Sequence, residues 1–168
     1  ANISKIYTIK CNLANAENAL TAKSADPGPA DTITVSGKVT IATNVDGTAS
    51  KDAIGGINVA TADKSIVATS ASDGTFTIEV PAGTTELVVY GDTTVDRTVT
   101  LSGTASVSNA VIPINICDYE KNGKIDGFDK INFMKYMNSY ELYHDIVVNK
   151  TVDGFDKIQF LAFLGKDI

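Results

Sequence analysis

Tryptophan is absent from the 168-residue chain, histidine occurs once, and there are only two cysteines, two methionines and four prolines. Each scarcity excludes something. With no Trp, and with Tyr90 the only tyrosine between residues 33 and 113, the chain offers few platforms on which a sugar ring could stack. Cys11 and Cys117 are too few for a disulfide scaffold; they read as reduced core or strand cysteines, with their pairing left open. His144 is expected at the surface rather than as a general base. No apolar run approaches 18 residues, so no membrane-spanning helix is expected. The chain opens without a secretory leader, which fits a mature fragment cut from a larger protein as well as it fits a cytosolic one. It also lacks a nucleophile elbow, a phosphate loop and zinc-ligand spacing, so no catalytic residue is assigned and no small-molecule substrate is expected. Positive charge is short too, 14 Lys and Arg against 20 Asp and Glu. A net charge of -6 argues against a nucleic-acid partner, which needs a basic stripe, and favours cation binding or plain solubility.

Composition changes abruptly along the chain, and the change suggests two small modules. From Asp31 to about Val111, Thr, Val, Ala, Ser and Gly dominate; after Ile114 the chain becomes rich in Lys, Asp, Phe, Tyr and Met. The boundary is placed near Pro113, giving modules over 33–113 and 114–168. Residues 3–11 alternate enough for a short strand, but residues 1–32 as a whole, ending in the breaker cluster "DPGP", read as an attachment segment or linker. Seven strand-like runs follow: "TITVSGKVTIA", "GINVAT", "SIVATSA", "TFTIEV", "TELVVYG", "DRTVTLSG" and "VSNAVIPI". Six or seven short strands with turns this close describe an all-β sandwich, immunoglobulin-like or transthyretin-like in architecture. Gly37, the turn from Asp73 to Phe76 and the turn from Pro81 to Gly83 resemble the recurring turns of carboxypeptidase-regulatory-like, transthyretin-type sandwiches. That resemblance implies a structural or adhesive module.

The second module repeats itself. "DGFDKINFMKYM" from Asp126 and "DGFDKIQFLAFL" from Asp153 agree at seven of twelve positions, 27 residues apart, which marks a duplicated supersecondary unit. Immediately upstream lie the ligands of a calcium loop. A twelve-residue loop of this type needs oxygen donors at positions 1, 3, 5, 9 and 12, a main-chain carbonyl at 7 and preferably Gly at 6. The loop from Asp118 supplies Asp118, Glu120, Asn122, Asp126 and Asp129, with the Lys124 carbonyl at position 7 and Gly123 at position 6. The loop from Asp145 supplies Asp145, Asn149, Asp153 and Asp156, with the Thr151 carbonyl at position 7, but Val147 stands at position 3 and Lys150 replaces the glycine. Two calcium ions are expected, the second more weakly held; Lys150 must accept a positive φ, or the loop must rearrange. Asn149, Lys150 and Thr151 also match a glycosylation sequon, but a ligand role explains the asparagine better.

No helix precedes Asp118, where "VSNAVIPINIC" is β-like. A loop followed by a single helix, duplicated, with Asp at position 12, resembles a dockerin over residues 117–164. A regulatory-like sandwich directly before it resembles the X module and dockerin pair of cellulosomal scaffoldins, the type II arrangement. This resemblance implies a small α dockerin with two loop-helix calcium-binding repeats, a cohesin module of another scaffoldin or cell-surface anchor as partner, and an extracellular or cell-surface location. Dockerins grip cohesin with loop positions 10 and 11 and the helix that follows. Carried onto this sequence, the contact residues are Gly127, Phe128, Ile131, Met134 and Lys135 in the first unit and Gly154, Phe155, Ile158, Leu161 and Ala162 in the second.

Helical spacing gives the same sidedness except at Met134 and Leu161. At about 100° per residue, Phe133 and Met137, with Met134 beside them, share one face, matched by Phe160, Leu164 and Leu161; these are the expected core. Phe128, Ile131 and Lys135, and likewise Phe155, Ile158 and Ala162, gather nearly opposite. Two helices cannot cover both faces of each other, so one apolar face should stay open. Lys130 and Lys157 depart from the family pattern, which places an apolar core residue there; a slightly rotated helix or a snorkelling lysine stem would accommodate them. The favoured reading is a calcium-dependent cohesin-binding module that is not an enzyme. The alternatives are a carbohydrate-binding or adhesive sandwich with a calcium-stabilised tail, and an intracellular calcium sensor.

Overall fold

A computed structural model of the chain describes residues 31–168. The strand expected at 3–11, Cys11 and nearly all of the proposed linker lie outside the described residues. Eight strands precede the repeats: β1 (Thr32–Ala42), β2 (Ser50–Ala53), β3 (Asn58–Thr61), β4 (Val67–Thr69), β5 (Thr75–Pro81), β6 (Glu86–Tyr90), β7 (Arg97–Thr100) and β8 (Val107–Ile114). Alternation in the sequence becomes sidedness in the strands. β1 turns Ile33, Val35, Val39 and Ile41 inward, β5 turns Phe76, Ile78 and Val80, and β6 turns Leu87 and Val89.

These strands form two four-stranded sheets, consistent with a sandwich. In the first sheet β1 is central. β5 and then β2 pair antiparallel with it in succession along one edge, and β8 runs parallel to it along the other. The second sheet is antiparallel throughout, in the order β4-β3-β6-β7. Their inner faces share one core that includes Val35, Val39, Ile78, Val59, Leu87 and Val89. Each fully buried aliphatic side chain there contributes roughly 1.5–3 kcal/mol.

All seven predicted runs contain a strand, and β2 is an eighth. Its sequence, "SKDA", has no apolar alternation and sits just after a turn-like stretch. It pairs only at Ala53 with Thr40 and at Ser50 with Ala42, held by the strand beside it rather than by its own side chains. Pro113 falls inside β8, tolerated because β8 is an edge strand.

Gly37 has a steric duty. The β1/β8 register slips between Val35 opposite Val107 and Gly37 opposite Ala110, a bulge that uses Asn109 at a φ of 58°. A Cβ on residue 37 would lie 2.0 Å from the Ala110 carbonyl oxygen.

Past Pro113 the buried core continues without a break. Ile114, Ile116, Cys117 and Tyr119 belong to the same cluster as the sandwich interior, together with Ile125, Phe133, Ile146, Val152, Phe160 and Phe163. The remaining elements are β9 (Lys124–Ile125), α1 (Gly127–Lys135), α2 (Gly154–Phe163) and β10 (Lys166–Asp167), with β10 pairing antiparallel to β9. The chain is therefore mostly β-sheet with two short helices. Among the described residues no helix is long and apolar enough to cross a membrane. The substitution Gly37→Ala should lower stability by about 1–3 kcal/mol through the forced shift of β8. Urea unfolding is the check, and an unchanged midpoint would show that β8 does not press on residue 37.

Candidate metal centres and docking face

The two loops bond themselves in nearly the same way. In the first, Asp118 accepts the Asn122 amide at 3.1 Å and the Gly123 amide at 2.7 Å. In the second, Asp145 accepts the amides of Asn149 at 2.9 Å and Lys150 at 2.7 Å. At position 12, Asp129 accepts from the Tyr119 and Asp126 amides, and Asp156 from those of Val147 and Asp153. Asn122 accepts the Lys124 amide as Asn149 accepts that of Thr151. The second loop thus keeps the shape of the first despite Val147 and Lys150.

Lys150 takes the positive φ, 72°, beside 81° at its counterpart Gly123. Position 4 is left-handed as well, at Lys121 (54°) and at the β-branched Val148 (51°). Left-handed backbone costs a non-glycine residue about 1–2 kcal/mol, so the second loop stores more strain than the first.

Both helices begin where their loops end. Asp126 and Asp153 are N-caps, accepting the amides of Phe128 and Phe155, while Asp129 and Asp156 return the bond to the N-cap amide. One carboxylate at position 12 therefore serves the loop and the helix together. Asp118, Asp129, Asp145 and Asp156 are all buried. Among the described residues no lysine, arginine or histidine lies in ion-pair range of any of them. Burial pushes the Asp156 carboxyl above the usual range; main-chain hydrogen bonds from Asp153 and Val147 oppose this, and the carboxylates of Asp145 and Asp153 add to it.

The described residues contain no ready-made cluster of three His, Cys, Asp or Glu side chains. The fit to a hard cation comes from donor chemistry: buried carboxylates at positions 1 and 12, half-buried Asp126 and Asp153 at position 9, and amide oxygens at position 5. In the second loop the Asn149 amide nitrogen reaches Asp153 at 3.2 Å, so positions 5 and 9 are neighbours. Glu120 is exposed. The Lys124 side chain lies 3.6 Å from Asp167, well away from ligand duty, which leaves only its carbonyl as a candidate.

Between the loops, Phe133 and Phe160 stack with ring centroids 4.8 Å apart. Each helix then reaches for the other unit's loop: the Asn138 amide donates to the Val152 carbonyl, and the Gly165 amide to the Ile125 carbonyl, both at 2.7 Å. Asn138 and Gly165 occupy equivalent places in the repeat and both have positive φ, 65° and 80°.

Two expectations are corrected here. Met134 and Leu161 do not lie in the core; they are 41% and 42% exposed, while Met137 and Leu164 pack partly against it and Phe163 is buried. His144 is not a surface residue. It is buried, stacked on Tyr119 at 4.1 Å and tilted against Tyr136, with Nδ1 bonded to Glu141 and Nε2 beside Asn132. Burial holds its pKa below the usual imidazole value, against the pull of Glu141. The Cys117 thiol, also buried, is pushed far up, which suppresses its reactivity. Sequence reasoning also missed the ties to the sandwich: Lys121 donates to the Gly91 carbonyl at 2.8 Å, and the Tyr143 hydroxyl to the Gly56 carbonyl at 3.4 Å.

The remaining predicted contact residues lie at the surface. Phe128 and Phe155 are 63% and 67% exposed, Ile131 and Ile158 61% and 65%. These near-equal pairs make the open face a property of the repeat itself. Gly127, Lys135, Gly154 and Ala162 are exposed beside them, and of the two departing lysines Lys130 is exposed and Lys157 half-buried.

No family model matches the chain, and no curated protein matches it. Solved structures do. One is a chain in the crystal structure of the Coh3ScaB-XDoc_M2ScaA complex, a C-terminal interface mutant of the type II Cohesin-X-Dockerin complex from Acetivibrio cellulolyticus. The match has a TM-score of 0.57 and 21% identity, over 80% of this chain and 97% of that one. The corresponding N-terminal interface mutant, Coh3ScaB-XDoc_M1ScaA, gives a TM-score of 0.55 and 17% identity over the same shares. The structural neighbours are thus type II cohesin-X-dockerin complexes, the arrangement that the sequence resembles, and the likeness is one of fold.

The left-handed residues generate a test. In calcium-free buffer Gly123→Ala should lower the unfolding free energy by about 1 kcal/mol, whereas Lys150→Gly should raise it by about 0.5 kcal/mol, because relief of left-handed strain exceeds the entropy cost of glycine. Denaturant titration of both variants reads the sign, and a loss of stability in Lys150→Gly would contradict the strained loop.

Proposed function

We propose that this chain is a calcium-dependent cohesin-binding module, an X-type sandwich over 33–113 joined to a dockerin over 114–168. In this role it anchors a scaffoldin or enzyme into an extracellular, cellulosome-like complex that degrades polysaccharide, and it performs no catalysis itself. The observation that carries the reading is the pair of matched apolar faces, each rooted directly in a loop of buried carboxylates. The neighbours of similar fold are complexes with cohesin.

Asp118, Glu120, Asn122, Asp126, Asp129 and the Lys124 carbonyl would hold one calcium ion; Asp145, Asn149, Asp153, Asp156 and the Thr151 carbonyl would hold a second. Calcium supplies positive charge that neutralises the gathered carboxylates. The position-12 aspartates also fix the first turn of each helix, so ordering the loops preorganises Phe128, Ile131, Phe155 and Ile158 for a partner. The sandwich holds the unit through Tyr143 and Lys121.

Titration with a panel of cohesin modules, with and without chelator, tests the reading. Binding should require calcium, and Phe128→Ala together with Phe155→Ala should weaken it by about 2 kcal/mol or more, roughly 30-fold, with calcium affinity unchanged. Undiminished binding in chelator, or glycan binding without cohesin binding, would refute it. Unfolding of the double variant would show that the two phenylalanines belong to the core.

A further inference from the structure

The exposed helix face carries charge of one sign only. α1 has Asp129, Lys130 and Lys135 as its charged residues and α2 has Asp156 and Lys157; both aspartates are buried, so every charge the helices show to solvent is a lysine. This occurs in a protein of net charge -6 whose residues 31–113 hold nine Asp and Glu against four Lys and Arg. Lys135 lies on the Phe128–Ile131 stripe, seven residues on from Phe128, where about 100° per residue brings it back to the same side. Lys130 and Lys157 flank the opposite margin of each face, beside Met134 and Leu161. The one difference in charge between the two faces is Lys135 against Ala162.

Resting on the cohesin-binding reading above, we propose that the surface this face recognises is an apolar protein patch rimmed with carboxylates, densest over α1 and opposite Lys135. Charge complementarity selects that occupant. A polyanion such as nucleic acid would meet six exposed apolar side chains among three lysines, with an acidic sandwich alongside. An anionic membrane would be repelled by the same sandwich. A protein surface can place its carboxylates at the rim and leave the centre to Phe128, Ile131, Phe155 and Ile158. Rim charges of this kind act chiefly on the encounter, raising the association rate and fixing the orientation, while the apolar centre sets the rate of dissociation.

The test follows the association and dissociation rates of the calcium-loaded chain on immobilised type II cohesin modules. Association should slow about tenfold between low and high NaCl, and Lys130→Glu/Lys135→Glu/Lys157→Glu should slow it about 10–100-fold with little change in dissociation, Lys135→Glu being the largest single effect. Phe128→Ala/Phe155→Ala should act on dissociation instead. Association indifferent to salt and to charge reversal, with the phenylalanine effect intact, overturns the acidic rim and leaves the cohesin reading standing. Binding to no cohesin overturns both. Binding of the wild type to phosphatidylglycerol vesicles, lost in the triple variant, would assign the face to a membrane and overturn the proposal.

Discussion

The second half of the molecule depends on a reciprocal grip between its two repeats. The turn after each helix contains a left-handed residue, Asn138 or Gly165, whose amide bonds the carbonyl at position 8 of the other repeat's loop, Val152 or Ile125. Both of those loop residues are fully buried, so the bonds lie in a dry environment where leaving them unmade would be costly. The Phe133–Phe160 stack fills the space between. Neither repeat can satisfy its own loop backbone alone; each needs the other's helix terminus. The grip is the same in both directions, and Phe128 and Phe155 have nearly equal exposure.

A unit of two short helices and two polar loops has too little apolar interior to be secure by itself. The sandwich enlarges that interior. Because β8 runs parallel to β1, it delivers the chain to the end of the sandwich, and Ile116, Cys117 and Tyr119 go directly from strand into shared core. Tyr119 stacks on His144, whose neighbour Tyr143 reaches the Gly56 carbonyl, and Ile146 joins the common cluster. Tyr119 belongs to the first loop and His144 immediately precedes the second, so the sandwich braces both loops through one aromatic stack.

Sequence pattern made most of this legible where the signal was periodic or spaced. Alternation identified β1, β5 and β6, and ligand spacing identified the loops even where Val147 and Lys150 broke the pattern. It failed where a residue's place is decided by distant partners. β2 has no alternation because β1 holds it through the backbone. His144, in the short segment "ELYHDIVV" between the helices, carries no periodic signal, and its burial is decided by Tyr119 and Tyr136 from elsewhere in the chain. Met134 and Leu161 look like core on a helical wheel because they adjoin Phe133 and Phe160, but of that face only Phe133 and Phe160, with Met137 and Leu164 packed partly against them, reach the core.

The separation of charge follows from a two-residue device used twice. Asp129 and Asp156, at loop position 12, cap their helices from the inside and are buried; the next residues, Lys130 and Lys157, are rotated about 100° onward and emerge toward solvent. The N-terminal turn of each helix thus hides a negative charge and shows a positive one. An apolar residue after position 12 would widen the exposed apolar face and leave it without its basic margin. With a lysine at this position in both units, the helices show a charge opposite in sign to the net charge of the protein. Core packing alone would not select that choice, whereas recognition of an acidic, apolar-centred surface would.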